Sequence, residues 1–410
     1  QPWMGMAGRR FGRNAPLADT FGERKQDLMS PSPRLISNRL LARESFVPVP
    51  SLNVMAAAWI QFMVHDWLSH GPNDPDVSRH LRVPLEPTDR WPPDLPEGAP
   101  NEPMTVLSTT TCADLNPADE GRPIPFTNTE THWWDGSQIY GSSWQRLDQL
   151  RRVGGRPDGE RLENGKLWLD EGGFLPLDPG LQAKRPDHEL AGINGNWWIG
   201  LSLLHTLFAR EHNTVADALR AEYPAASGEW IFQKARLVVA ALTAKIHTVE
   251  WTPALMDSPV GRMAMRGNYW GVLGERFHKG MGRISDNEVV SGIPGTPPDH
   301  HGAPYAMTEE FGAVYRLHPL LPDEFDFRAH EDDRHLTRKT LLDVFAGGAT
   351  QVRREVGFAN ALYSLATLNP GAMVLHNYPE SLRNLPKKPE EGIWLDLATV
   401  DVLRDRERGV

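Results

Sequence analysis

Apolar side chains recur at helical intervals over residues 52–68, 197–222, 229–251, 308–318, 337–345 and 357–368, with polar residues between them. Each stretch predicts a helix with one face turned into a core. Strand-like alternation is rare, so the pattern predicts a mainly α fold with few short strands. Proline and glycine concentrate in 72–103 and 154–187, which predicts long ordered loops there. No low-complexity linker or internal repeat divides the 410 residues. The chain is therefore expected to form a single large domain over 1–410, with enough core to enclose a bulky prosthetic group.

Three stretches carry candidate chemistry. In Val314-Tyr315-Arg316-Leu317-His318-Pro319-Leu320-Leu321-Pro322 a phenol and an imidazole stand three residues apart. If 308–318 is one helix, they share a face. A histidine there can ligate haem iron and a tyrosine one turn earlier can pass it an electron; a packed core pair fits the same spacing. In Ala58-Trp59-Ile60-Gln61-Phe62-Met63-Val64-His65-Asp66-Trp67, Gln61 and His65 fall at i,i+4 and can look into one cavity. Asp66 points about 100° away and must serve something else. In Thr131-His132-Trp133-Trp134-Asp135-Gly136-Ser137, oxygen-bearing side chains alternate as in a loop around a hard cation. Two carboxylates, two hydroxyls and backbone carbonyls suit calcium better than a transition metal.

Together, and in this order, these segments resemble the peroxidase-cyclooxygenase superfamily, the animal-type haem peroxidases. The resemblance implies a helical fold with haem between two helices, His65 and Gln61 on its distal side and His318 as the proximal iron ligand. It implies calcium bound by Asp66, Thr131, the Trp133 carbonyl, Asp135 and Ser137. The run Leu204-His205-Thr206-Leu207-Phe208-Ala209-Arg210-Glu211-His212-Asn213 matches a further family signature. Near the end, Leu395-Asp396-Leu397-Ala398-Thr399-Val400-Asp401-Val402-Leu403-Arg404 resembles the cofactor-side segment whose Asn bonds the proximal histidine. Here that position is Asp401, with Arg404 one turn on. An aspartate accepts the imidazole N–H more strongly than an amide and makes the axial ligand more electron-donating.

Other positions point to one branch. Family members that esterify their haem do so through carboxylates, and neither Val64 nor Gly192-Ile193-Asn194-Gly195-Asn196-Trp197-Trp198 supplies one. The resemblance therefore implies haem b held without covalent bonds. The family's distal arginine is also missing, with Asn194 nearest, which predicts a poor general peroxidase. Trp197 and Trp198 suggest an apolar, crowded distal wall. Tyr315 is similar to a tyrosine shared by cyclooxygenases and the plant fatty-acid alpha-dioxygenases. In those enzymes peroxide oxidises the haem, the haem oxidises the tyrosine, the tyrosyl radical takes hydrogen from a fatty acid, and O2 adds.

Lys245-Ile246-His247-Thr248-Val249-Glu250-Trp251-Thr252-Pro253 resembles the alpha-dioxygenase stretch that holds the substrate carboxylate, implying that role for His247 and Thr252. On a continuous helix the two would stand about 140° apart. Pro253 is expected to drive Thr252 out of the helix, letting it turn towards His247. His301-Gly302-Ala303-Pro304-Tyr305-Ala306-Met307-Thr308-Glu309-Glu310-Phe311 extends the match without adding a catalytic group. The implied activity is conversion of a fatty acid and O2, after activation by hydrogen peroxide, to a 2-hydroperoxy acid. A peroxidase acting on small organic donors and a non-catalytic haem sensor are the alternatives.

The net charge of −10 and the lack of a basic stripe argue against a nucleic-acid partner. A fatty acid needs only local donors and an apolar channel, so charge does not exclude it. The single cysteine, Cys112, excludes an intramolecular disulfide and a thiolate cluster. No apolar run is long enough to span a bilayer, and no signal peptide is visible. A cytoplasmic or membrane-associated setting is expected over a disulfide-rich secreted one, and peripheral membrane contact stays open. The chain starts and stops abruptly relative to the family, so a processed or incomplete chain is expected. The family arginine that pairs with the fatty-acid carboxylate comes from the region beyond Val410.

Overall fold

Pro319 decides the shape of the segment with the most chemistry. The helix Glu309–Val314 starts at Thr308, whose hydroxyl accepts from the Phe311 N–H at 3.2 Å. It ends at Tyr315 (φ −83, ψ 6), and a separate 3-10 turn, His318–Leu320, follows. Pro319 has no N–H to close a helical bond onto the Tyr315 carbonyl. That carbonyl accepts instead from Leu317 N–H at 3.1 Å. The expected continuous helix over 308–318 is thus corrected, and with it the shared helix face of Tyr315 and His318.

The computed structural model describes residues 5–15, 27–97, 99–101, 103–111, 126–256, 258–296, 306–388 and 393–410. Cys112 and 301–305 lie outside them. The backbone groups into two compact units, one within 7–130, 196–201 and 306–410, the other within 1–6, 131–195 and 202–305.

In the first unit the helix Met55–Trp67 is buried along most of its circumference, through Ala57, Trp59, Phe62, Met63 and Trp67 among others. A helix apolar on all sides belongs in a core. Close packing needs small residues: a Cβ at Gly200 would lie 2.5 Å from the Trp198 ring and 2.8 Å from the Ala58 Cβ. Helices Gly347–Val356 and Phe358–Thr367 follow one another, and Leu397–Arg408 starts on Asp396, whose carboxylate accepts the Thr399 N–H at 3.0 Å. The expected helix over 337–345 is corrected: His335–Thr340 is a strand paired antiparallel with Glu324–Arg328, and a 3-10 turn, Leu342–Val344, follows. Phe325 and Phe327 alternate into the core and hold that hairpin. The apolar spacing of its partner mimicked a helix.

In the second unit the helix Ile199–Glu222, which begins in the first, is followed by Gly228–Ile246, capped by the Ser227 hydroxyl. The chain then passes through a π-helical turn, His247–Trp251, into a short helix, Thr252–Leu255. Thr252 stays helical (φ −61, ψ −43), which corrects the expected helix exit there. The π turn absorbs the proline by shifting the bonding to i→i+5, so that Thr252 N–H reaches the His247 carbonyl.

The described residues contain four two-stranded ladders and otherwise helices and loops, so the mainly α expectation holds. Among them no helix is long and apolar enough to cross a membrane.

Candidate active site

The 3-10 turn presents His318 with a carboxylate at its back. His318 Nδ1 lies 2.7 Å from Asp401 Oδ2 on the helix Leu397–Arg408. A carboxylate can only accept, so Nδ1 carries the proton and the Nε2 lone pair is left to bind a Lewis acid. Metal-ligating histidines are typically backed in this way, so the pair fits a haem ligand.

A third member, Tyr378, was not found from sequence. Its hydroxyl lies 2.9 Å from Asp401 Oδ2 and 3.1 Å from His318 Nδ1. Burial, and then the Asp401 charge, push the Tyr378 phenol well above its ordinary range, so it stays protonated and donates. Burial pushes the Asp401 carboxyl up, but His318, Arg316 and the Tyr378 hydrogen bond outweigh it and hold the carboxyl below the usual range.

The turn is fixed from behind by Arg43, also missed from sequence. Its guanidinium donates to the carbonyls of Pro319 (3.1 Å), Leu321 (3.2 Å) and Asn377 (2.6 Å) and pairs with Asp323 at 2.7 Å. One planar fork thus ties the His318 turn to the residue before Tyr378. A Cβ at Gly371 would lie 2.1 Å from the Pro319 carbonyl oxygen, so only glycine lets the chain approach there.

Tyr315 is half-buried, stacked on Phe311 (centroids 4.2 Å, 26°) and edge-on to Trp67 (6.4 Å). Arg404, on the Asp401 helix, turns its guanidinium to Asn73 Oδ1 (2.5 Å) and the Leu107 carbonyl (3.0 Å), so it braces that helix in this structure.

On the helix Met55–Trp67, Gln61 and His65 share a face as their spacing predicts. The Gln61 amide is spent at both ends: Oε1 accepts from Trp198 Nε1 at 2.8 Å and Nε2 donates to the Asn196 carbonyl at 3.1 Å. Trp198, almost fully buried, is therefore the polar anchor of Gln61. His65 Nδ1 is buried and has no hydrogen-bond partner among the described residues. Burial lowers this imidazole to about 4, so it is neutral at physiological pH and able to accept a proton. Asp66 is fully buried.

In the second unit, the Thr252 hydroxyl donates to the His247 carbonyl at 2.8 Å. Its one proton is therefore committed to shaping the π turn. His247 lies edge-on to Trp134 (5.4 Å), and burial lowers it to about 4. In the loop 131–137, Trp133 N–H donates to Thr131 Oγ1 at 2.9 Å, and Asp135 Oδ1 accepts from Ser137 N–H (3.1 Å) and Oγ (2.6 Å). Arg236 pairs with Asp135 at 3.3 Å. Asn194 donates to Asp178 and to the Glu189 carbonyl, both at 3.0 Å, and so takes a structural place in this unit. His212, in the signature run, lies 2.9 Å from the Tyr140 hydroxyl and 3.1 Å from the Gly165 carbonyl, and packs the interior.

A mainly helical fold carrying a carboxylate-backed histidine and a second, neutral histidine on a buried helix matches a known class. The chain belongs to the animal haem peroxidase family, whose model matches residues 1–410. Within it, the chain is 34% identical over 414 residues to the alpha-dioxygenase PIOX of Oryza sativa, covering 98% of this chain and 62% of that protein. It is 32% identical over 420 residues to alpha-dioxygenase 2 of Arabidopsis thaliana, covering 99% and 61%. The fold is similar to the crystal structure of a Tyr-to-Phe variant of Oryza sativa fatty acid alpha-dioxygenase with palmitic acid: TM-score 0.82, 32% identity, 99% of this chain and 63% of that one. Peroxidase A of Dictyostelium discoideum shares the fold alone, with TM-score 0.70 at 18% identity. The chain spans about three fifths of the length of its alpha-dioxygenase relatives.

Proposed function

We propose that this chain is a haem-dependent oxidoreductase that oxygenates fatty acids at the carbon next to the carboxylate. The observation that carries the reading is Tyr315, placed three residues before a histidine whose Nδ1 is bound by Asp401 at 2.7 Å. Haem ligated by His318 supplies, when bound, the peroxide-driven one-electron oxidation of the Tyr315 phenol. His65 takes a proton from peroxide through its neutral ring and returns it, and Gln61, anchored by Trp198 and Asn196, holds the polar edge of the same helix face. The Tyr315 radical takes a hydrogen atom from the α-carbon, O2 adds to the carbon radical, and the peroxyl radical takes the hydrogen atom back. His247 offers the fatty-acid carboxylate a ring N–H, and Thr252 fixes the π turn that presents it. The test is incubation of the hemin-loaded protein with a long-chain fatty acid under O2, with mass detection of the 2-hydroperoxy acid. Rapid oxidation of guaiacol with no oxygen uptake on fatty acid would move the assignment to a small-donor peroxidase.

His65 sets the acid limit of this chemistry. Because its pKa is lowered to about 4, peroxide activation should hold through the ordinary histidine range and fail only as the pH approaches 4. Stopped-flow rates of the peroxide-driven Soret change check this; a limb centred near pH 6.5 contradicts it. Stability should move in the same window. His65, His70, His132, His212 and His247 are all lowered to about 4, so below about pH 6.5 the unfolded chain binds protons that the folded one refuses. The melting temperature should fall steadily from pH 6.5 towards 4.

Calcium in the loop formed by Thr131, the Trp133 carbonyl, Asp135 and Ser137 is part of the same proposal. Oxygen donors at alternating positions support it; Arg236, which pairs with Asp135 at 3.3 Å, would have to yield that carboxylate to the ion. Chelation should lower the melting temperature by several degrees and restored calcium should recover it. An unchanged melt, with no calcium by elemental analysis, contradicts the site.

A further inference from the structure

We propose that Tyr378 is a positioning residue that limits how strongly His318 donates electron density to bound iron, by competing for the carboxylate oxygen that His318 uses. The inference rests on the haem reading above. Asp401 Oδ2 is shared: it receives the His318 Nδ1–H at 2.7 Å and the Tyr378 O–H at 2.9 Å. A second donor on one oxygen drains its acceptor strength, so each bond is weaker than it would be alone. The phenol oxygen also sits 3.1 Å from His318 Nδ1, close enough to draw part of that N–H away from the carboxylate. Both effects act in one direction. They keep the imidazole short of the imidazolate character that an unshared aspartate would impose.

Tyr378 is not held there by Asp401. Its N–H donates to the Leu41 carbonyl at 2.8 Å, and its carbonyl accepts from the Arg43 N–H at 3.2 Å. Asn377 beside it donates to the carbonyls of Val47 (2.9 Å) and Ala372 (2.8 Å) and accepts from the Arg43 guanidinium. The backbone thus delivers the hydroxyl to a fixed point, and at 5% exposure the phenol is shielded from water that could replace it. Aspartate at 401 alone would give a strongly donating ligand. Aspartate with Tyr378 gives an intermediate one.

The experiment uses the whole chain loaded with hemin and reads two properties of the proximal bond, the ferrous iron–histidine stretch by resonance Raman and the Fe(III)/Fe(II) midpoint potential. Tyr378→Phe keeps the ring and removes the hydroxyl, so the stretch should rise and the midpoint fall. Asp401→Asn should move both the opposite way. In the Asp401→Asn background, the Tyr378→Phe shift should shrink to less than half, because the shared carboxylate is gone. A Soret band with no shift in Tyr378→Phe, or an equal shift in both backgrounds, overturns the role of Tyr378 and leaves haem binding standing. Absence of a Soret band from the wild-type chain overturns the haem reading and this inference with it. A circular-dichroism melt establishes that each variant is folded. If Tyr378→Phe is unfolded, the Asp401→Asn shift decides: a stretch that does not fall denies that Asp401 strengthens the ligand at all.

Discussion

Tyr315→Phe should yield a protein that binds hemin with the wild-type Soret band and forms no 2-hydroperoxy acid from fatty acid and O2. The substitution removes only a hydroxyl. The ring that stacks on Phe311 at 4.2 Å and meets Trp67 edge-on at 6.4 Å is retained, so the fold around it has no reason to move. His318 and Asp401 are untouched, so the proposed iron site should stay the same. On the proposed reading, what is lost is the O–H whose hydrogen atom shuttles to and from the substrate carbon. Product should drop to the level of a hemin-only control, while oxidation of small donors by peroxide persists. Oxygenation at more than a few per cent of wild type would show that another group abstracts the hydrogen.

His318→Ala should weaken hemin binding by more than roughly 100-fold, beyond the loss usual for partners that only support a ligand. The substitution also strands Asp401, whose Oδ2 keeps, among the described residues, only the Tyr378 hydroxyl at 2.9 Å as a side-chain partner. An under-satisfied carboxylate of this kind costs about 1–3 kcal/mol, so the melting temperature should fall as well. Added imidazole should restore part of the Soret intensity by filling the space of the ring. Equal hemin affinity in wild type and variant would mean that the iron ligand lies elsewhere.

From residue spacing alone, the parts of this site that could be read in advance are those whose geometry is local. Gln61 and His65 belong to a long periodic helix, and their spacing alone put them on one face. The expectation that Asp401 bonds His318 came from family resemblance, and the structure places its Oδ2 2.7 Å from His318 Nδ1. The failures share one physical cause, backbone donors removed by proline or redirected by pairing. Pro319 broke the helix after Tyr315. Pro253 did the reverse of what a proline rule suggests, because a π turn kept Thr252 helical. Residues 337–340 became strand because a hairpin partner rich in phenylalanine was available. Tyr378 and Arg43 were invisible because they sit in turns without periodicity and reach their partners across 23 residues or more of sequence. Only the folded chain brings them to the His318 turn.

The most direct measurement is a titration of hemin into the purified chain, followed by absorbance. If His318 ligates haem iron, a Soret band should grow, saturate at one equivalent and shift when the imidazole-ligated iron is reduced. A spectrum that remains the sum of free hemin and protein would contradict it.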